Sequence, residues 1–252
     1  MKNFKEVEKL KIVISLSKVK KSASSSCPMD RDIESKIIYF QYCGEINTEK
    51  VLHAAKLRCE ERGIKKVVIA SETGRSAIKA LEIFRNTGIK LIVVTHYPSK
   101  TWGPRGDIPI GLRRKEYAEI LRKLEENGVR VVQGTRPFVP PSRSINWEYP
   151  TPEAIIDRTL EVFGAGTKIA IEVVLMATDA GEVEPGEEVV SCAGTYKGLD
   201  TALVVRASHS GGFFKEFEVR EIIAKPIRRV KELPEYKYEG WKGDLDKYYR
   251  IQ

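Results

Sequence analysis

Short apolar runs that alternate with helical patterns constrain the fold of this chain most. The apolar run at residues 66–70 precedes a helical pattern at 76–86, and the run at 90–95 precedes another at 114–127. Strands separated by helices at this spacing are typical of βαβ units, and therefore of a parallel sheet with helices on both faces. The sequence thus predicts an α/β protein with three layers, α/β/α, around a mostly parallel sheet.

The remaining elements follow from the same patterning. Residues 167–180 fit either a buried strand or a buried helix, but their length, their alanine content and the terminal Gly181 favour the helix. Further strands are expected at residues 37–42, 129–133, 187–193, 201–207 and 217–224, and further helices at 49–62, capped by Asn47 or Thr48, and at 152–163, capped by Thr151.

The turn at residues 71–76, Ser-Glu-Thr-Gly-Arg-Ser, joins a predicted strand to a predicted helix. The first backbone N–H groups of a helix and the positive end of its dipole form an anion site. The three hydroxyl side chains add donors, Arg75 adds a fixed charge, and Gly74 allows close approach of the backbone. These features favour a phosphate site, and the alternative is an ordinary capped turn, which short motifs of this kind also fit.

Several polar loops are expected to meet at one edge of the sheet. In parallel sheets, ligands bind outside the carboxyl ends of the strands. The loops at residues 43–48, 71–76, 95–106 and 134–136 all fall at such ends, and the long loop 98–111 has the length of a lid or a binding loop. Residues 194–201, which are rich in Gly and Thr, either cradle a phosphate or a ribityl-like chain or form a hairpin-like connection.

Charge and cysteine content argue against several classes of function. The 252 residues carry a formal net charge of +8, of which residues 1–36 contribute +4 and residues 225–252 contribute +3. The body is therefore nearly neutral, and nucleic-acid binding is not expected, although the basic and aromatic tail could bind a single strand or wrap its own domain or a partner subunit. The four cysteines are scattered, as in reduced cytoplasmic proteins, with no zinc spacing. No segment has the roughly 18 apolar residues of a membrane span.

The predicted organisation has three parts: an N-terminal arm or linker at residues 1–36, the α/β domain at 37–225, and a basic-aromatic C-terminal tail at 226–252. Residues 18–26 have the composition of a linker. Met29 stands just before the first well-patterned strand. We hypothesise that translation starts there, so that residues 1–28 are either an annotation artefact or a mobile arm.

Residues 67–95 resemble the C-terminal domain of pyruvate kinase, in which a strand, a Ser/Thr-rich Gly-Arg-Ser turn and a helix bind the phosphate of an effector. The matching positions are Ser71, Thr73, Gly74, Arg75, Ser76 and the pair Val94-Thr95. The catalytic barrel of pyruvate kinase has no counterpart here, so the resemblance does not imply kinase activity.

A second resemblance covers nearly all of residues 37–225. It is to a mainly archaeal family of stand-alone proteins similar to the pyruvate kinase C-terminal domain, carried by segments at 47–48, 71–74, 94–96, 134–137, 174–181, 193–195, 198–202 and 221–226. That resemblance implies the α/β fold and a flavin mononucleotide (FMN) site, and it assigns no reaction. The chain departs from the family in its long N-terminal arm and at residues 43–46, where a loop with Pro and Gly is typical.

Taken together, the turn, the loops and the resemblance predict the residues that contact the ligand. They are Asn47, Thr48, Ser71, Glu72, Thr73, Gly74, Arg75, Ser76, Thr95, His96, Gly106, Gly134, Thr135, Gly194, Thr195, Gly198, Asp200 and Thr201.

Three hypotheses for the function follow, and a homo-oligomer is compatible with all of them. The first is a binding protein for FMN or another small phosphorylated ligand. The second is a flavin-dependent enzyme in which His96 is the acid–base candidate, with Asp179 and Cys192 as weaker ones. The third is a sensor of a small phosphorylated metabolite, by analogy with the effector domain.

Overall fold

The computed structural model describes residues 34–100, 108–146 and 150–228. The strands are β1 (Ile38–Phe40), β2 (Lys66–Ala70), β3 (Lys90–His96), β4 (Ser99–Lys100), β5 (Pro109–Ile110), β6 (Arg130–Gly134), β7 (Glu188–Ala193), β8 (Thr201–Arg206) and β9 (Glu218–Pro226). The helices are α1 (Thr48–Arg62), α2 (Arg75–Phe84), α3 (Ala118–Glu126), α4 (Pro152–Glu161), α5 (Ala165–Asp179) and α6 (Phe213–Glu216). All of these elements lie in Lys36–Gln252, the second of the two units into which the chain divides.

A seven-stranded sheet, in the order β1-β9-β8-β7-β2-β3-β6, forms the centre of this unit. Neighbouring strands pair in parallel everywhere except at β8, which runs antiparallel to both β7 and β9. Six strands therefore point the same way and one is reversed. The prediction of a mostly parallel sheet is confirmed.

Two apolar cores cover the two faces of the sheet. Because side chains alternate along a strand, Val67 and Ile69 of β2 face one core and Val68 faces the other. Helices α1, α2 and α3 pack on the first face, and α5 packs on the second, with α4 against α5. This is the predicted α/β/α layering.

The segment that fitted either a strand or a helix is the helix α5. Twelve of its fifteen residues are buried, which explains why its sequence is apolar on all sides rather than on one stripe. Thr151 caps the preceding helix α4, as predicted, because its hydroxyl accepts a hydrogen bond from the backbone N–H of Ala154 at 3.1 Å.

Other predicted elements differ in length from the observed ones. The first strand is shorter than expected, since Gln41 and Tyr42 are exposed beyond Phe40. The predicted helix at 114–127 begins with a 3-10 turn at Lys115–Tyr117 before α3 starts. The long loop contains the antiparallel pair β4–β5. Residues 1–33 and 229–252 lie outside the described residues, and with them most of the predicted arm, the Met29 hypothesis and most of the tail.

The direction of the strands decides where the loops lie. The six parallel strands all end at one edge, and the reversed strand β8 begins there. The segments that follow β1, β2, β3, β6 and β9, and the β7–β8 connection at residues 194–200, therefore share the carboxyl edge of the sheet. Among the described residues, no helix has the length and apolar composition needed to cross a membrane.

Candidate functional site

A cavity of about 640 Å³ opens at the carboxyl edge of the sheet. Its volume lies within the range of about 300–1,000 Å³ that small-molecule sites occupy. Ten of the predicted ligand residues line it: Ser71, Glu72, Thr73, Arg75, Ser76, Thr95, His96, Gly194, Thr195 and Gly198. The edge predicted from the strand pattern therefore does contain a ligand-sized space.

The turn at residues 71–76, which we call the phosphate turn after the ligand predicted for it, forms one wall of this cavity. Ser71, Thr73 and Ser76 are each less than 8% exposed. Helix α2 begins at Arg75, and its N-cap residue, Gly74, has no side chain to cap it. The first N–H groups of a helix have no acceptor within the helix. The turn thus brings backbone donors and three hydroxyl groups to one side of the cavity.

Gly74 serves the turn in a way that the sequence did not indicate. Its φ of 86° lies in the left-handed region, which suits glycine. A Cβ at this position would lie 2.4 Å from Cγ2 of Ile120 and 3.0 Å from Cδ1 of Leu112. Gly74 does not line the cavity. It allows the start of α2 to pack against α3 and the segment before it.

Arg75 forms an ion pair with Glu45 across the turn. Glu45 belongs to the loop at residues 43–46, where the chain departs from the resembled family. Lys197 also lines the cavity near this pair. Burial lowers the pKa of Lys197, the carboxylate of Glu45 opposes that change, and the charge of Arg75 adds to it. Arg75, Glu45 and Lys197 thus form a charged group beside the hydroxyl groups of the turn.

Glu72 joins the ends of two neighbouring strands. Its Oε2 accepts hydrogen bonds from Oγ1 of Thr95 at 3.1 Å and from the backbone N–H of His96 at 3.0 Å. The same Thr95 oxygen accepts a hydrogen bond from the N–H of Leu112 at 3.1 Å. The ring of His96 lies 3.8 Å from that of Tyr97, centroid to centroid. This network fixes His96, the acid–base candidate, in the wall of the cavity.

Asp200 ties together the loops that surround the phosphate turn. It is fully buried and accepts hydrogen bonds from Gly44 N at 2.8 Å, Thr195 N at 3.0 Å and Thr201 Oγ1 at 2.8 Å. Burial raises the pKa of its carboxyl group, and these hydrogen bonds oppose the rise. Neither Asp200 nor Thr201 lines the cavity. Both residues therefore support the loops around the cavity, and neither side chain is part of the cavity lining.

Asn47 and Thr48 have the same supporting role. Nδ2 of Asn47 donates to the carbonyl oxygen of Tyr42 at 2.8 Å, and Oγ1 of Thr48 accepts from Leu199 N at 3.0 Å. Gly198 has a φ of +66°, and a Cβ there would lie 2.5 Å from Cα of Glu45. The loop before α1 and the β7–β8 connection therefore touch backbone to backbone.

A second charged group, which the sequence analysis missed, lines the cavity on the side of α4 and α5. We call it the ion-pair cluster: Arg136, Arg143, Asp157, Glu161, Lys168 and Glu172. Nε of Arg136 donates to Glu172 Oε2 at 2.7 Å, and its Nη2 donates to Asp157 Oδ1 at 2.8 Å. Nζ of Lys168 donates to Asp157 Oδ2 at 3.3 Å.

One sequence signal could have revealed this cluster. Lys168 and Glu172 are charged, stand one helical turn apart, and interrupt an otherwise apolar helix. Charged residues are almost never fully buried unless they are paired. Glu172 is 0% exposed, and burial raises the pKa of its carboxyl group against the opposing charge of Arg136.

Apolar side chains also line the cavity, among them Val94, Ile108, Ile110, Val139, Ile169, Val173 and Met176. Several of these apolar residues belong to α5 or to the strands that it covers. Three further cations, Arg158, Lys225 and Arg228, belong to the lining as well. The cavity therefore combines charged walls with a surface suited to a flat, apolar ring.

The remaining predicted residues lie elsewhere. Gly134 and Thr135 do not line the cavity, and Gly106 lies outside the described residues. Asp179 is exposed and accepts a hydrogen bond from Ser210 N at 3.0 Å, away from the cavity. Cys192 is fully buried in β7, and burial raises the pKa of its thiol. Within the described ranges, no group of three or more His, Cys, Asp or Glu side chains could hold a metal ion.

Comparison with known proteins gives one match to a family model and several structural similarities. Residues 49–205 match the model for the pyruvate kinase alpha/beta domain. A pyruvate kinase from Cryptosporidium parvum is 16% identical over 64% of this chain and 23% of its own, with a TM-score of 0.32. The C. parvum pyruvate kinase in complex with ADP is also 16% identical, over 64% of this chain and 24% of its own, with a TM-score of 0.32. The chain spans about a quarter of the length of these pyruvate kinases.

A different enzyme shows a weaker similarity. An SAH-bound methyltransferase from Podospora anserina is 12% identical over 54% of this chain and 49% of its own, with a TM-score of 0.23.

Proposed function

The chain belongs to the pyruvate kinase alpha/beta domain family, and from that premise we propose that it binds a phosphorylated ligand, FMN, in the cavity at the carboxyl edge of the sheet. We place this activity in the cytoplasm, since the scattered cysteines fit a reducing compartment.

The observation that carries the proposal is the phosphate turn. The N-terminus of α2 and three buried hydroxyl residues face one cavity, beside Arg75 and Lys197. Helix N-termini attract phosphate through their N–H groups and dipole, and charged donors strengthen such contacts. Eight cationic and five acidic side chains line the cavity, so its overall charge also favours an anion.

The remaining lining fits the rest of an FMN molecule. Ser71, Thr73, Ser76 and Lys197 would hold the phosphate, and the apolar surface that includes Ile110, Val173 and Met176 would hold the ring. When bound, FMN supplies hydride and single-electron transfer. The protein's own contribution is to bind the phosphate, orient the ring and exclude water from it.

A phosphate that binds at the turn would compete with Glu45 for Arg75. The carboxylate of Glu45 already pairs with Arg75, so an incoming phosphate shares or displaces that partner. Lys197 lines the same wall, and because burial lowers its pKa, an anion bound beside it would favour its charged form.

The first test is the absorbance spectrum of freshly purified protein, together with the mass spectrum of the supernatant after denaturation. We expect flavin bands and the mass of FMN. Titration calorimetry then compares FMN with riboflavin, which lacks the phosphate. A protein that binds neither FMN nor any short phosphomonoester overturns the proposal.

Substitution of Lys197 by Ala tests the assignment of the phosphate wall. A charged hydrogen bond contributes about 1.5–3 kcal/mol, so we expect a loss of FMN affinity of about 10- to 150-fold. The matched control is Lys79→Ala, because Lys79 lies on α2 and pairs with Glu49 but does not line the cavity. Equal affinities for the two variants contradict the assignment.

A flavin-dependent enzyme is the second candidate, and the position of His96 favours it. This histidine lines the cavity beside Tyr97, where it can reach a bound ring. Anaerobic addition of a nicotinamide reductant would bleach the flavin bands of such an enzyme. With His96→Gln, the pH dependence of bleaching changes if the imidazole transfers a proton.

A further inference from the structure

We infer that Glu45 determines the specificity of the phosphate wall: it selects a phosphate in its singly protonated form, by accepting a hydrogen bond from the P–OH group of the ligand. The inference rests on the proposed function and names the protonation state of the group that the phosphate turn holds. The favoured ligand is a phosphomonoester bound as a monoanion. The rejected ligand is an oxyanion without a proton, such as a sulfate ester.

Glu45 lies in the wall where the phosphate is proposed to bind. Its carboxylate pairs with Arg75, the first residue of α2, and both residues line the cavity. The two side chains are largely buried, with 15% of Glu45 and 11% of Arg75 exposed. A phosphate that reaches the guanidinium of Arg75 therefore also meets this carboxylate.

The surrounding loops hold the backbone of Glu45 in place. Asp200 accepts a hydrogen bond from the N–H of Gly44, the residue before Glu45, at 2.8 Å. A Cβ at Gly198 would lie 2.5 Å from Cα of Glu45, so the β7–β8 connection packs directly against this residue. Because the backbone is held from two directions, we expect the ligand to share Arg75 with the carboxylate rather than to displace it.

The charge of this wall suits a monoanion better than a dianion. Two cations, Arg75 and Lys197, stand beside two carboxylates, Glu45 and Glu72. The excess positive charge of the cavity comes from lining residues in other segments: Arg158, Lys225 and Arg228. The wall itself therefore has no excess cation for the second negative charge of a dianion, and a nearby carboxylate disfavours that charge.

The chemistry of a carboxylate supplies the discrimination. An ionised carboxylate only accepts hydrogen bonds, and its two oxygens offer about four acceptor sites, so Glu45 can bind Arg75 and one more donor. A phosphomonoester has a second pKa of about 6 and carries one P–OH group below it. A sulfate ester has no proton to donate, so its oxygens would face the carboxylate as acceptor against acceptor.

The test compares matched esters by titration calorimetry with the full-length protein. FMN and riboflavin 5′-sulfate differ only in the oxyanion, and phenyl phosphate and phenyl sulfate form a second pair that lacks the flavin. At about pH 5.5 all four esters are mainly monoanions, so the P–OH group distinguishes the members of each pair. We expect the wild type to bind each phosphate at least about tenfold more tightly than its sulfate.

The pH dependence gives a second readout in the wild type. Between about pH 5.5 and about pH 8 the phosphate loses its P–OH proton, because its second pKa is about 6. We expect FMN to bind at least about tenfold more weakly at the higher pH. Binding of a dianion would give the opposite trend.

The variant for this test is Glu45→Gln, and Glu49→Gln is its matched control. Glu49 lies on α1, pairs with Lys79 and does not line the cavity. An amide donates as well as accepts. We therefore expect Glu45→Gln to reduce the preference for phosphate over sulfate to about twofold or less and to abolish the loss of FMN affinity at the higher pH. The control is expected to behave as the wild type does.

Other ionisable groups surround Glu45, and they are the same in the wild type and in both variants. They are Cys43, Glu72, Arg75, His96, Lys197 and Asp200. A change of pH profile that Glu45→Gln produces and Glu49→Gln does not produce therefore reports on Glu45.

The outcomes separate this inference from the proposed function. A wild type that binds the phosphate and the sulfate of a pair equally at about pH 5.5 overturns the inference and leaves anion binding intact, and this comparison needs no variant to fold. An FMN affinity that stays constant or rises with pH also overturns it, as does a folded Glu45→Gln variant that keeps the full preference. A wild type that binds neither FMN nor phenyl phosphate at either pH overturns the proposed function itself.

Discussion

The two charged walls of the cavity are built differently. Around the phosphate turn, hydroxyl groups and a helix N-terminus stand beside two cations, Arg75 and Lys197, and two carboxylates, Glu45 and Glu72. The ion-pair cluster balances three cations with three carboxylates and has no net charge. The turn thus brings uncharged hydroxyl groups to the cavity, whereas the charges of the cluster are hydrogen-bonded to one another.

The largest expected effect comes from unbalancing the cluster. Arg136→Met leaves the carboxylate of Glu172 without its guanidinium partner, while Asp157 keeps Lys168 and Arg143. Removing one member of a buried ion pair costs about 3–5 kcal/mol in free energy of unfolding. Urea denaturation monitored by circular dichroism measures this loss.

The matched control for that prediction is Arg136→Met combined with Glu172→Leu. Because the second substitution removes a carboxylate that the first leaves unpaired, we expect it to recover most of the lost stability. A double variant that is as unstable as the single one would show that charge balance does not set the stability of this wall.

The next effect concerns the loops that support the phosphate turn. Asp200→Ala removes the single oxygen, Oδ2, that accepts hydrogen bonds from both Gly44 N and Thr195 N, so both buried donors lose their partner. An unsatisfied buried donor costs about 1–3 kcal/mol. Thermal unfolding measures the change, and no change would mean that the two loops do not depend on this carboxylate.

A substitution within the turn is expected to change stability less than the preceding variants do. Its effect on ligand binding should still be measurable. Ser76→Ala removes one neutral hydroxyl from the first turn of α2, where alanine is a good helix former. We expect the free energy of unfolding to change by less than about 0.5 kcal/mol and FMN affinity to fall by about 2- to 13-fold. Riboflavin is the control ligand, and an equal fall for it would show that Ser76 does not contact the phosphate.

The smallest expected effect is a change in how the free energy of unfolding depends on pH. Because burial raises the pKa of Glu172 above its ordinary value of 4.5, the folded protein binds more protons than the unfolded chain between 4.5 and the raised value. The contribution of Glu172 to stability is therefore present below pH 4.5 and is lost as the pH rises through the raised pKa. Glu172→Gln should flatten this part of the stability curve, measured by urea unfolding at several pH values. Identical slopes for the two proteins would contradict the shift.

The parts of the site differ in how far apart their residues lie along the sequence. That separation decided which parts the sequence could predict. The position of the turn at residues 71–76 was predictable because its six residues are consecutive and stand between a clear strand and a clear helix. The cluster was not, because Arg136 meets partners 21 and 36 residues away. Such pairs form only once α4 and α5 have packed on the second face of the sheet.

Two residues of the turn show a further limit of prediction from local sequence. Arg75 lines the cavity, but its ion pair with Glu45 joins segments 30 residues apart and carries no local signal. Gly74 was expected to make room for a ligand, whereas it makes room for Ile120. Local patterns gave the position of both residues, and only tertiary packing gave their roles.

The reversed strand β8 has a consequence for how this site can be altered. Because β7 and β8 form a simple hairpin, residues 194–200 leave the sheet and return to it without a crossover helix. The base of this hairpin is held by Asp200 and Thr48, so its tip near Tyr196 can change in length while the sheet keeps its strand order. The hairpin tip is therefore the natural place to engineer the size of the molecule that the cavity accepts.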